Sequence, residues 1–263
     1  MNKVSLRQIV NGLAIIITIV FNTISQIPSF GIGLATNAEI ANRYPDLLYF
    51  PANYAFSIWS IIYLGLIAYT IYQFLPAQRD NDLLKRLGYL PALTAVFNIG
   101  WLLAFQYFLF PLSMVMMLGL LGTLIAIYIR LGTGRVSVTP TERWFIQIPF
   151  SLYLGWITAA TVTNATYVLK DAGWNGFGIA PEVWAVIMLI VTGVVALGMI
   201  LRFHDIAYGL VIIWALVAIY GRYPEVATIT IAALGVAAAV FLALIADVVI
   251  NRFGSSSNRR VTA

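Results

Sequence analysis

The side chains in this sequence that could do chemistry are rings and amides. Phe56, Trp59 and Tyr63 follow a turn at Pro51 at steps of three and four, so their rings fall on one helix face. Tyr54 stands just ahead of them in the same turn. Asn98, Trp101 and Phe105 repeat the spacing at i, i+3 and i+7. Tyr153, Trp156, Ala160, Asn164 and Tyr167 make a third stripe, with a small residue between two aromatic turns. Such groups bind molecules rather than transform them. A flat apolar ligand held between indole faces and oriented by an amide suits them. So does plain helix packing, with interhelical amide hydrogen bonds worth about 1 kcal/mol each. The spacing puts all three stripes on inward faces and leaves both uses open.

Other chemistries are poorly provided for. The chain has no cysteine and one histidine, His204, which excludes disulfides, thiolate nucleophiles and any multi-histidine metal centre. No nucleophile stands beside a base in an arrangement that singles out an enzyme. The ionisable residues His204, Asp205 and Asp247 lie near helix ends and are the basis of a rival reading, a secondary transporter. The plainer expectation is that Asp205 caps a helix and Asp247 pairs with a nearby base such as Arg202.

These residues must be positioned by membrane helices. The chain is 61% hydrophobic and only 10% charged, with mean hydropathy +0.91, against roughly 25% charged residues in soluble domains. The net charge of +5 is scattered between apolar runs and forms no patch for nucleic acid. Eight apolar runs are read, over residues 10–27, 53–74, 91–109, 112–131, 144–169, 182–201, 206–220 and 226–250. With eight spans, twelve Lys and Arg fall on one side of the bilayer and three, Arg43, Lys170 and Arg222, on the other. That imbalance places both termini in the cytoplasm. Omitting the short seventh run would put Arg252, Arg259 and Arg260 on the wrong side, so eight is the expected count.

The connections are informative too. Residues 28–50 form the longest one and lead into the Pro51 turn, where a lid over a site is expected. Residues 170–178 are a glycine-rich break after the fifth run. The expected division is a five-helix bundle over 1–171, a connection over 172–180, three additional transmembrane helices over 181–251, and a basic disordered tail over 252–263.

The three stripes resemble the tryptophan-rich sensory proteins, also called translocator proteins or peripheral-type benzodiazepine receptors. Pro51, Tyr54, Phe56, Trp59 and Tyr63 correspond to that family's second helix. Asn98 and Trp101 correspond to its third, and Pro149, Tyr153, Trp156, Ala160 and Asn164 to its fifth. The resemblance covers roughly residues 1–171. Two departures are visible: the family usually has tryptophan at the position of Tyr54, and one more residue between Phe56 and Trp59.

What the resemblance implies is an all-α integral membrane protein, a five-helix translocator-protein-like bundle followed here by three further spans. Its ligand site would be lined by Tyr54, Phe56, Trp59, Tyr63, Asn98, Trp101, Tyr153, Trp156, Ala160 and Asn164. The ligand class would be a porphyrin or other tetrapyrrole, or a sterol-like lipid, with no resident cofactor or metal. Homodimers in a bacterial inner or plasma membrane are expected, and a porphyrin-modifying enzyme is the remaining alternative. Val162, Tyr167 and Lys170 also fit a loose cholesterol-binding pattern.

Overall fold

Buried polar residues on the first helix explain how the molecule is held together. The computed structural model describes residues 5–26, 34–36, 39–40, 43–44 and 47–257. Helix α1, Leu6–Ser25, starts at a capping box between Ser5 and Gln8. Its Gln8, Asn11, Thr18, Asn22 and Ser25 are buried, whereas Leu6, Leu13, Ile16, Ile17 and Val20 are exposed. This inverts the soluble pattern, as a lipid surround demands. Gln8 donates to the Gln73 carbonyl. Asn11 Nδ2 donates to the Gly88 carbonyl at 2.9 Å, and Asn22 Nδ2 to Asn98 Oδ1 at 2.8 Å.

The remaining long helices are α2 (Ile58–Phe74), α3 (Leu90–Gln106), α4 (Phe110–Leu131), α5 (Ile148–Asp171), α6 (Pro181–Phe203), α7 (Ile206–Arg222) and α8 (Ala227–Ser257). A 3₁₀ turn, Asn53–Ser57, leads into α2, and a π-helical turn, Arg143–Gln147, leads into α5. No strand occurs among the described residues. Among the described residues six helices are long and apolar enough to cross a membrane, α2 with its 3₁₀ turn as Asn53–Phe74 and α5 with its lead-in as Pro140–Asp171. Helices α3 and α7, with 17 residues each, are apolar but shorter. At 1.5 Å per residue, 17 residues reach about 26 Å, just under the roughly 30 Å of a hydrocarbon core.

Packing divides into a ring and a wedge. Contacts run α1 to α2, α2 to α5, α5 to α4, α4 to α3 and α3 back to α1, closing a ring of five. Helix α7 packs against α5 from outside, with α6 and α8 on its other sides and against each other. Close approach is set by glycine: a side chain at Gly119 would enter the Phe97 ring, and one at Gly193 would enter Val236.

The helix junctions use the charged residues. Asp205 caps α7, its Oδ1 accepting from Tyr208 N at 3.0 Å, as the sequence suggests. Asp247 meets His204 Nδ1 at 2.6 Å rather than Arg202, because His204 turns left-handed (φ 55°) at the end of α6 and points toward α8. Helix α8 continues to Ser257, so residues 252–257 of the expected disordered tail are helical: no proline intervenes, and a helix propagates cheaply once formed. The rest of that tail, and most of the 28–50 connection, lie outside the described residues.

Candidate ligand-binding site

The 3₁₀ turn decides where the opening aromatic residues point. Residues three apart eclipse one another in a 3₁₀ helix, so Phe56 in the turn and Trp59 just inside α2 share a side. Both meet Trp156 edge-to-face, with ring centroids 5.8 and 6.4 Å away. Trp59 also stacks on Tyr63 at 5.3 Å and meets Tyr153 edge-on at 5.6 Å. Five of the ten expected site residues, Phe56, Trp59, Tyr63, Tyr153 and Trp156, thus belong to one seam between α5 and α2 with its leading turn.

Next to this seam is a cavity of about 40 Å³. Phe50, Phe56, Trp101, Phe105 and Trp156 wall it, and Ala159 and Ala160 leave the space. Asn164 and Thr163 supply its polar edge. The segment 49–51 covers it, and the Arg222 guanidinium lies 5.4 Å from the Phe50 ring centroid. Trp59, Tyr63, Asn98 and Tyr153 are set back from the cavity.

The two asparagines are fully engaged. Asn98 accepts from Asn22 and donates to Tyr153 Oη at 2.8 Å, joining α1, α3 and α5. Asn164 Oδ1 accepts from Trp101 Nε1 at 3.1 Å and Ser113 Oγ at 3.0 Å, joining α3, α4 and α5. Their first role is therefore to fix the walls.

Tyr54 faces the other way. Its ring meets Trp214 of α7 edge-on at 5.4 Å, and its hydroxyl donates to the Val217 carbonyl at 3.2 Å. Trp214 Nε1 in turn donates to the Ala55 carbonyl at 3.0 Å, and Ala52 N to the Ala218 carbonyl at 2.9 Å. Sequence reasoning did not assign Ala215 and Ile219 of α7 to the site, yet both line the cavity. Phe50 and Phe105 were visible within the motifs but not assigned to it.

The described parts of the 28–50 connection lie over the same end of the bundle. Tyr167 Oη donates to the Ile40 carbonyl at 3.2 Å, and the Tyr44 ring packs on Phe110 and Tyr167. Tyr44 Oη donates to Asp171 Oδ1 at 2.7 Å; burial and then that carboxylate raise its pKa. Burial likewise pushes up the Tyr49 phenol, which pairs with Thr192 of α6 at 2.6 Å. Tyr167 is buried against Phe105 and Phe110, whereas Lys170 lines a different cavity, so the cholesterol-like pattern does not form one site. No group of three or more metal-ligating side chains occurs among the described residues.

Long apolar helices, polar groups turned inward and an aromatic-walled cavity define an integral, multi-pass membrane protein of the ligand-binding or sensory kind. A family model described as TSPO-like protein matches residues 8–246, and the chain belongs to that family. The matched span includes α6, α7 and most of α8, so it runs well beyond the residues that carried the motif resemblance. No curated protein and no solved structure matches the chain.

Proposed function

We propose that the protein binds a flat hydrophobic ligand, of porphyrin or other tetrapyrrole type, within the end of the five-helix ring, and acts as a membrane sensor of it. The observation that carries this reading is the aromatic wall of Phe50, Phe56, Trp101, Phe105 and Trp156 around the gap at Ala160. Aromatic faces suit an extended π-system. A volume of about 40 Å³ is far below the roughly 300 Å³ at the small end of ligand pockets. Binding therefore requires the walls to part, and the covering segment 49–51 and the Phe56 turn are the walls not built into a long helix. Eight spans with both ends in the cytoplasm, and a homodimer, complete the proposal.

Titration of the full-length protein with protoporphyrin, followed by tryptophan quenching, tests it. Saturable quenching is expected, with affinity at least tenfold weaker in Trp156→Ala. Equal affinity in wild type and Trp156→Ala sinks the reading.

A further inference from the structure

A second apolar space lies outside the five-helix ring. It has a volume of about 240 Å³ and lies where α5 and α6 part, beneath the glycine-rich loop that joins them. The two helices touch only lightly, because α7 packs against both. The gap left above α7 is lined by Ala165 and Leu169 of α5, Ala185 and Met188 of α6, and Leu47 and Leu48 of the segment before the Pro51 turn.

The loop and the first turn of α6 roof this space with indoles. Trp174 and Trp184 lie 4.9 Å apart between ring centroids, and Phe177 meets Trp174 edge-on at 5.4 Å. Trp184 Nε1 donates to the Gly176 carbonyl at 2.8 Å, so its polar edge is used by the loop and its face remains for apolar contact. A side chain at Gly176 would press on Trp184 Nε1 at 3.0 Å, and Gly176 is left-handed (φ 66°), which explains a glycine there.

The charged end of the lining is at the loop, where Lys170 and Asn175 stand. Toward Ala165 and Met188 the walls are apolar apart from Thr166 and Tyr49, whose hydroxyls are taken up by the Thr163 carbonyl and by Thr192. From Pro181 to Met188 the α6 wall descends about 10 Å at 1.5 Å per residue. Depth, polarity gradient and a cation at the mouth together match one kind of molecule. We infer that this cavity is a second binding site, independent of the one in the ring, for an anionic amphiphile: an acidic head at Lys170 and an apolar body against Ala185 and Met188. A free fatty acid and an anionic phospholipid share that chemistry.

Full-length protein in phosphatidylcholine nanodiscs tests the inference, because bromine quenches tryptophan on contact. One arm adds 9,10-dibromostearate; the other incorporates brominated phosphatidylglycerol. Saturable quenching in either arm is expected, and the arm that responds identifies the source. Ala185→Phe, which fills the space, should abolish it, with Ala165→Phe from the opposite wall serving if the first variant does not fold. Lys170→Gln should weaken it at least fivefold. Trp156→Ala should leave it unchanged, so failure here is distinguishable from failure of the porphyrin reading. Linear quenching that is identical in both filled variants means partition into the bilayer only and overturns the site. Undiminished affinity in Lys170→Gln overturns the anionic head.

Discussion

Asn164 gathers three helices onto one oxygen. Replacing it with leucine leaves Trp101 Nε1 without its acceptor, whereas Ser113 Oγ keeps the Phe110 carbonyl. A buried donor left unpaired costs about 1–3 kcal/mol. Asn164→Leu should therefore lower the thermal midpoint of the detergent-solubilised protein clearly, and Asn164→Ala by a similar amount. A midpoint unchanged in both variants would show that these bonds do not hold the walls. The spacing of Asn98 and Asn164 made their inward direction legible in the sequence. It could not say what they bond to, because an amide facing a ligand and one facing a neighbouring helix obey the same periodicity. Tyr54 was misleading for another reason: it belongs to the same motif as Phe56, but two residues apart they point to different sides of the turn, and Tyr54 turns to Trp214.

Among the helices, α7 is the one whose part in the site the motifs did not reveal. It contributes Ala215 and Ile219 to the cavity and binds the turn before α2 through Trp214 and the Ala218 carbonyl. Nothing in an apolar helix advertises a contact with a turn some 160 residues earlier, since composition alone fills both lipid-facing and ring-facing positions. The order and type of the helices, by contrast, followed from hydropathy, and the glycine-rich break from its residues. Trp214→Phe removes one hydrogen bond while keeping most of the ring. A net loss of about 1 kcal/mol corresponds to roughly fivefold faster hydrogen exchange of amides in residues 53–57, if that turn opens locally. Exchange at the wild-type rate would mean that Trp214 does not secure the turn.

For the molecule as a whole, the distribution of charge makes a topological prediction. The chain has no cysteine, so single reporters can be introduced at exposed positions without background. Lys85→Cys and Arg202→Cys should react with an impermeant maleimide only after cytoplasmic access is given. Phe177→Cys and Glu225→Cys should react from outside. If Arg202→Cys and Glu225→Cys label from the same face, α7 does not cross and the eight-span arrangement fails. The basic residues alone carried this expectation, whereas the closed ring of five needed coordinates, because hydropathy is silent on which helices are neighbours.

The docking of α7 on the Asn53–Ser57 turn bears on whether the first five helices are a self-sufficient unit. Cutting the chain after Asp171 would remove two cavity walls, Ala215 and Ile219, and strip partners from Ala52 N, the Ala55 carbonyl and the Tyr54 hydroxyl. The shortened protein would be an opened half of a shared structure, not a miniature of the whole. Its entrance turn would have to find a substitute surface, in a second copy or in lipid, before the site could take its shape.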